Sequence, residues 1–233
     1  REGGREGIHE YLKLKSWATR KPKPVLPVIT EVEVKPNFDE PSLDRTAKLF
    51  IGGKQARPDG NYSRIILSPS GKIVGEVGEG NRKDIRNAVE AAKKAEGFSK
   101  SAHHLRAQII YYIAENLSVR ADEFKKRLVQ LTGVTPAAAQ KEVDESIRRL
   151  FTYGAWADKY DGDVHTPPAR LISVAMKEPV GIIGIVCPDE NPLLSFVSLF
   201  APAMAMGNRT VIVPSEKYPL LATDLYQVFD TSD

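Results

Sequence analysis

The sequence predicts an α/β protein whose C-terminal part begins a parallel sheet. From Val180 onward the pattern becomes strand, apolar helix, strand and helix, an alternation that is typical of a layered α/β sheet. Residues 182–186 are almost wholly apolar, as expected for a central parallel strand that is covered on both faces. Two strands are too few for such a sheet, so we expect the sheet to be truncated in this chain.

The first 45 residues precede the predicted globular domain. Leucine and lysine alternate over residues 11–17, which predicts an edge strand with its lysines on one side. Residues 19–45 are polar and contain prolines, and their first part is basic, which predicts an extended linker. We therefore place a domain boundary near residue 45, with residues 1–18 before the linker and residues 46–233 after it.

Short strands and then helices are predicted after this boundary. Strands at 48–53, 64–67 and 72–74 are separated by turn sequences, and Ser68-Pro-Ser-Gly71 forms a hairpin turn. Asn81, with Asp84 three residues later, caps the first helix. Apolar side chains at helical spacing mark that helix and three more, at Ile85, Ala88, Val89 and Ala92, at Leu105, Ile109, Ile113 and Leu117, at Phe124 and Leu128, and at Val143, Ile147, Leu150 and Phe151.

The remaining elements belong to the predicted sheet and its surroundings. Residues 170–175 return as a strand. The helix that begins at Pro192 is apolar nearly all round and should be buried. Gly207 ends this helix, residues 210–213 form the next strand, and a last helix follows Pro219.

Composition excludes several classes of function. The net charge of +3 is too small to indicate nucleic acid as the main partner. The longest apolar stretch is shorter than a membrane span. A single cysteine, Cys187, rules out an internal disulfide and fits a reducing compartment, and we expect the cytoplasm.

Metal and thiol chemistry are not indicated by the sequence. The four histidines include the adjacent pair His103-His104, which cannot share one helix face, so we expect no metal site. Cys187 ends an apolar strand with no base near it in sequence, and it is expected to be a small core residue and not a nucleophile.

The ends of the two predicted parallel strands form the candidate site. Ligands of open α/β sheets bind beyond the carboxyl ends of the strands. Val186, Cys187 and Pro188 follow one strand, and residues 213–216 follow the next. If the strands pair, these segments lie side by side, which favours a bound nucleotide without specifying the reaction.

Several ordered motifs resemble those of the NAD(P)-dependent aldehyde dehydrogenases. The resemblance covers residues 46–233 and implies an aldehyde dehydrogenase-like fold with the start of a Rossmann-like sheet. The motifs are Leu49-Phe-Ile-Gly-Gly, Ser70-Gly-Lys-Ile-Val, Arg148-x-Leu-Phe-x-Tyr-Gly-Ala-Trp-Ala-Asp158, Pro179-Val-Gly-Ile-Ile-Gly, the spacing of Pro188 and Pro192, Ala201-Pro-Ala-x-Ala-x-Gly-Asn208 and Val213-Pro-Ser-Glu216.

The first 18 residues are similar to the other end of the same family. Their glycine- and arginine-containing start leads into Glu10-Tyr-Leu-Lys13, which resembles the family's C-terminal segment and oligomerisation strand. An end followed by a beginning implies two such domains in tandem, as in the family-16 aldehyde dehydrogenases. The chain is then expected to be a fragment across the junction, and a homo-oligomer when intact.

The resemblance also implies a reaction. In the family, a cysteine thiolate attacks an aldehyde, hydride passes to NAD(P), and a glutamate activates water to release the acid. That cysteine and that glutamate lie downstream of the matched motifs, so this chain is expected to lack both.

Two positions of the resemblance depart from the family's pattern. Glu190 stands where the family has the asparagine whose amide stabilises the oxyanion, and an ionised carboxylate has no proton to donate. Val213 stands at the family's ribose-binding lysine, whereas Glu216 matches the ribose-binding glutamate and favours NAD over NADP. The domain is therefore expected to be catalytically inactive, with Val186, Cys187, Pro188 and Glu216 as candidate cofactor-binding residues.

Other interpretations of these residues remain open. Asn191 before Pro192 is a good N-cap, with Asp189 and Glu190 near the positive end of the helix. Glu216 has a similar alternative, since it can open the helix that follows Pro219. For function, the alternatives are a structural, oligomerisation or partner-binding domain, and an active domain in which Asn191 is the oxyanion donor.

Overall fold

The computed structural model describes residues 45–160, 162–168 and 170–232. The predicted edge strand at 11–17 and the predicted linker lie outside these residues. Asp44–Asp233 forms one compact unit. The elements are β1 (Leu49–Ile51), β2 (Lys54–Ala56), β3 (Ser63–Leu67), β4 (Ile73–Gly78), α1 (Arg82–Lys94), α2 (Glu96–Ser99), α3 (His103–Val119), α4 (Ala121–Thr132), α5 (Pro136–Trp156), β5 (Asp163–His165), β6 (Ser173–Ala175), β7 (Ile182–Val186), α6 (Pro192–Ala205), β8 (Arg209–Val213) and α7 (Leu220–Asp230).

Two antiparallel hairpins open the domain. β1 pairs with β2 and β3 pairs with β4. The predicted turn at Ser68–Gly71 is confirmed, because the Ser68 N–H donates to the Lys72 carbonyl over 2.8 Å and Gly71 adopts a positive φ of 79°. β2 was not predicted, since its three residues carry no alternation long enough to register as a strand.

The first helix starts with the predicted cap. The Asn81 side chain accepts from the backbone N–H groups of Lys83 (2.7 Å) and Asp84 (3.3 Å), and the Asp84 carboxylate accepts from the Asn81 N–H over 2.9 Å. This reciprocal arrangement is a capping box. Asp84 also accepts from the Asp59 N–H, so the helix start is tied to the loop before β3.

The helices α3, α4 and α5 form the main hydrophobic core together with α6 and α7. α5 packs against α3, α4 and α6, and the fully buried side chains of this layer include Ile110, Leu117, Phe124, Leu128, Val143, Leu150, Leu193 and Leu225. The predicted faces are shifted in places, because Ile85, Leu105 and Phe151 are exposed. The four helices themselves are confirmed.

A parallel strand pair closes the described fold. β7 and β8 are parallel, with Ile182 opposite Arg209 and Val186 opposite Val213, and α6 forms the crossover between them. α6 is largely buried, as predicted, and Gly207 follows it with a positive φ of 79°. This arrangement is the start of a doubly wound α/β sheet.

A third hairpin precedes this pair. The strand predicted at 170–175 is limited to β6, which pairs antiparallel with β5. No helix among the described ranges has the length and apolar character needed to cross a membrane.

Candidate functional site

The two parallel strands end next to each other. Val186 and Val213 are register partners, and the Cys187 N–H extends the ladder by donating to the Val213 carbonyl over 2.9 Å. The predicted neighbourhood of residues 186–188 and 213–216 is therefore confirmed, and we call these residues the strand-end edge. Val186 is 78% exposed and Val213 is 41% exposed, so the edge presents apolar side chains to solvent.

Cys187 lies within the edge but is buried. Its side chain is 6% exposed, and burial raises the pKa of the thiol to about 11. A thiol with this pKa is protonated at neutral pH and is a poor nucleophile. The expectation of a core cysteine is confirmed. As a predicted cofactor-binding residue, Cys187 could contact a ligand at the strand-end edge only through its backbone.

The Asp189 carboxylate accepts hydrogen bonds from the segment that follows β8. Its Oδ1 accepts from the Ser215 hydroxyl over 2.7 Å and from the Lys217 N–H over 3.5 Å. The Ser215 oxygen in turn accepts from the Tyr218 N–H over 3.0 Å. From sequence, Asp189 was expected only as an acid beside a helix start. In the structure, its carboxylate instead links the segment after β7 to the segment after β8 through these hydrogen bonds.

The start of α6 differs from the prediction. Asn191 occupies the N-cap position and Pro192 the first helical position, but the Asn191 side chain accepts no cap hydrogen bond. An N-cap side chain reaches the helix amides from an extended backbone, whereas Asn191 is left-handed, with φ 44° and ψ 64°. The prediction that Asn191 caps this helix with its side chain is therefore wrong.

Glu142 of α5 supplies the cap instead. Its Oε1 accepts from the backbone N–H groups of Leu193 over 3.0 Å and Leu194 over 3.2 Å. Glu142 is 9% exposed. Burial raises the pKa of this carboxyl, and the two N–H groups oppose that rise only in part. This contact has no local signal in the sequence, because the partners are separated by 51 and 52 residues.

Glu216 lies within the strand-end edge and Glu190 two residues beyond its first segment, and both are exposed. The Glu190 carbonyl accepts from the Ser195 hydroxyl over 2.6 Å, while the Glu216 carbonyl accepts from Arg64 Nη2. α7 begins at Leu220 with Pro219 as its N-cap and without a side-chain cap bond. The alternative in which Glu216 caps that helix is therefore wrong, and its carboxylate is left to solvent.

Metal ligands do not converge at this edge. Within the described ranges, no group of three or more His, Cys, Asp or Glu side chains is arranged to hold a metal ion.

Comparisons with known proteins agree with this architecture. The sequence model of the Aldehyde dehydrogenase family matches residues 56–233. The malonate-semialdehyde dehydrogenase of Bacillus pumilus is 30% identical over 186 residues, which are 78% of this chain and 38% of that protein. The human cytosolic 10-formyltetrahydrofolate dehydrogenase is 28% identical over 184 residues, covering 75% of this chain and 20% of that protein.

A solved structure shows the same fold. The betaine aldehyde dehydrogenase from Staphylococcus aureus, in complex with NAD⁺, superposes with a TM-score of 0.77 and 24% identity, over 80% of this chain and 38% of that chain. The class defined by the fold is an α/β protein that contains the start of a Rossmann-like sheet. Because the family's sequence model matches more than half of its residues, the chain belongs to the aldehyde dehydrogenase family. It spans 38% of the length of the Bacillus relative.

Proposed function

We propose that residues 46–233 are the first part of a second, non-catalytic domain in a tandem aldehyde dehydrogenase. Residues 1–18 are the end of the preceding domain and residues 19–45 are the linker. The observation that carries the loss of catalysis is Glu190. It is exposed in the segment after β7, and the resemblance assigns this position to the family's oxyanion donor. An ionised carboxylate there cannot donate a proton and repels a developing negative charge.

The strand-end edge fits a dinucleotide in part, which supports NAD as the cofactor. The exposed Glu216 carboxylate would accept hydrogen bonds from ribose hydroxyls, and its charge disfavours a 2′-phosphate. Val186 and Val213 offer exposed apolar contact, but Val213 lacks the ammonium of the family's lysine. NAD supplies a hydride acceptor when bound, and Glu216 would contribute orientation of the ribose.

An NAD titration of the complete second domain, without the preceding domain and its own site, tests this assignment. We expect Glu216→Gln to weaken binding about fivefold to tenfold, since one charge-assisted pair of hydrogen bonds is lost. Glu115→Gln is the matched control, because Glu115 is an exposed glutamate on α3, away from the edge. Unchanged affinity in Glu216→Gln would remove the cofactor assignment while leaving the loss of catalysis untouched.

The alternative to a non-catalytic domain is an active domain in which Asn191 is the oxyanion donor. Its side chain is exposed and takes no part in the helix cap, so its amide is free to act as a donor. Asn191→Gly is the test variant, because it leaves the Glu142 cap of α6 in place and tolerates the positive φ of this position. We expect neither the complete second domain, separated from the preceding one, nor this variant of it to oxidise a short-chain aldehyde. Turnover by the second domain that falls more than about a hundredfold in the variant would instead assign the oxyanion role to Asn191.

A structural role in assembly is favoured by the third hairpin. Val164 of β5 is 68% exposed and Val174 of β6 is 56% exposed, with Leu171, Ile172 and Met176 also exposed beside them. Exposed apolar side chains concentrated on one hairpin are typical of an interface. We infer that the intact protein is a homo-oligomer that buries this hairpin. Val164→Lys should shift its sedimentation toward smaller species, and an unchanged distribution would contradict the inference.

The proposal also includes a cellular location and a substrate class. The relative from human is named as cytosolic, which supports a cytoplasmic location. An aldehyde is the expected substrate of the intact protein, oxidised by the preceding domain. Sequencing downstream of residue 233 tests the non-catalytic assignment independently, because a cysteine in the family's nucleophile motif would argue against it.

A further inference from the structure

The segment after β8 is held from two directions beside Glu216. Arg64 Nη2 donates to the carbonyl oxygen of the peptide group that joins Glu216 to Lys217. The N–H of the same peptide group donates to Asp189 Oδ1 in a longer contact of 3.5 Å. Arg64 belongs to β3 and Asp189 follows β7. Because a peptide group is planar, contacts at its oxygen and at its N–H together restrict its orientation.

Ser215 anchors the other side of Glu216. The Ser215 side chain is 3% exposed. Its hydroxyl donates to Asp189 Oδ1 over 2.7 Å and accepts from the Tyr218 N–H over 3.0 Å. Because a hydroxyl has a single proton, donation to Asp189 fixes that proton and leaves the oxygen lone pairs for Tyr218. One carboxylate oxygen therefore contacts the residues on both sides of Glu216.

The Arg64 guanidinium is itself oriented by its surroundings. Arg64 is the register partner of Val77, whose side chain is 4% exposed. Cross-strand partners lie on the same face of a hairpin, so the Arg64 side chain starts from the buried face of this hairpin. Its Nε lies 3.6 Å from Glu79 Oε1. The guanidinium therefore reaches the segment after β8 from a supported position.

These contacts restrict the Glu216 backbone and leave its side chain exposed. The bonds involve the Glu216 carbonyl and the polar groups of residues 215 and 217, and the carboxylate remains available at the strand-end edge. A group on a fixed backbone loses less conformational freedom on binding than a group on a mobile loop. The position of this carboxylate thus depends on Asp189 and Arg64.

We propose that Asp189 and Arg64 are positioning residues that set a preference for NAD over NADP through Glu216. This inference rests on the proposed role of Glu216 in binding the ribose. Held in one place, the carboxylate accepts hydrogen bonds from the ribose hydroxyls and repels a 2′-phosphate. A mobile segment would weaken both effects, because the carboxylate would turn away from either ligand. In this role neither Asp189 nor Arg64 needs to contact the nucleotide.

Dissociation constants for NAD and NADP, measured by calorimetric titration of the complete second domain, test the proposal. Loss of positioning removes at most the contribution of Glu216 itself. In Asp189→Ala we therefore expect NAD to bind about fivefold more weakly, and the ratio of the NADP to the NAD dissociation constant to fall about fivefold. Asp189→Asn loses the charge but keeps a carbonyl acceptor for the Ser215 hydroxyl, so both constants should stay within about twofold of the wild type.

Arg64→Ala is the second test variant, and it keeps the proposal testable if Asp189→Ala fails to fold. It should weaken NAD binding and lower the NADP-to-NAD ratio, as Asp189→Ala does. Asp144→Ala is the matched control, because Asp144 is an exposed aspartate of α5 that accepts one side-chain hydrogen bond, from Gln140 Nε2 over 2.8 Å. It should leave both dissociation constants unchanged.

A double substitution separates positioning from a general loss of structure. In a Glu216→Gln background, Asp189→Ala should change neither constant further, because residues that act through one group are not additive. An equal rise of both constants in Asp189→Ala, with the ratio unchanged, would overturn the proposal. If Glu216→Gln weakens NAD binding and Asp189→Ala does not, the positioning role is refuted and the cofactor assignment stands. Unchanged NAD binding in Glu216→Gln, or no nucleotide binding by the wild-type domain, would overturn both.

Discussion

Removing the Glu142 carboxylate should destabilise the fold by loosening the start of α6. In Glu142→Ala, the N–H groups of Leu193 and Leu194 lose their acceptor in a mostly buried position. Loss of a helix cap costs about 1 kcal/mol, and each buried donor left without a partner costs about 1–3 kcal/mol. Relief of the buried charge offsets part of this loss. We expect the free energy of unfolding to fall by about 2–4 kcal/mol.

Urea unfolding of the 233-residue chain, followed by circular dichroism, measures this change. Glu115→Ala is the control, because an exposed helix position should change the free energy of unfolding by no more than about 0.5 kcal/mol. Glu142→Gln retains a carbonyl acceptor and should stay within about 1 kcal/mol of the wild type. If Glu142→Ala matches the Glu115→Ala control, the cap contributes nothing and the reasoning fails.

The same carboxyl should make stability depend on pH. Burial raises the pKa of Glu142 in the folded state above its unfolded value of about 4.3. The folded state therefore holds the proton more tightly, so this contribution is complete below about pH 4.3 and is lost as pH rises through the folded pKa. The wild type should lose stability relative to Glu142→Gln across that window. Parallel pH profiles for the two proteins would contradict this assignment.

Three further predictions concern single side chains. Cys187, with its thiol pKa raised to about 11 by burial, should react with a thiol reagent at pH 8 at least about a hundredfold more slowly in the native chain than in urea; equal rates would show that the thiol is accessible. The Tyr226 hydroxyl donates to the Lys48 carbonyl over 2.6 Å, so Tyr226→Phe should lower the free energy of unfolding by about 1 kcal/mol, and a neutral result in urea unfolding would discount that bond. Arg127 and Asp224 are paired at 2.6 Å between α4 and α7 with both side chains partly buried, so Asp224→Asn should cost about 1 kcal/mol and less at high salt; insensitivity to salt would argue against an ionic contribution.

Features set by short stretches of sequence were predictable. The apolar run at 182–186 predicted a strand, and the apolar helix after it predicted the parallel connection to the next strand. The expectation that this strand is covered on both faces is wrong for the described residues, because Gly184 and Val186 are exposed. The capping box at Asn81 and the hairpin turn at Ser68–Gly71 were also visible, because each depends on residues only a few positions apart.

Features set by distant partners were not predictable in this way. The sequence placed an N-cap at Asn191 because of its residue type, but its left-handed backbone leaves the cap to Glu142 of α5. The sequence predicts Asp189 to be an acid near a helix start, although its partner is Ser215 in the loop after β8. In both cases a local preference was overridden by a tertiary contact between groups that are more than twenty residues apart.

The Glu142 cap also bears on how freely the neighbouring segment can change. A helix that is capped by its own loop constrains that loop to a few residue types. Here the acceptor lies on another helix, so residue 190 can change without loss of the cap, whereas position 191 stays restricted to residues that tolerate a positive φ. A change at Glu190 can therefore alter the charge of this exposed segment without removing the contact that holds the start of α6.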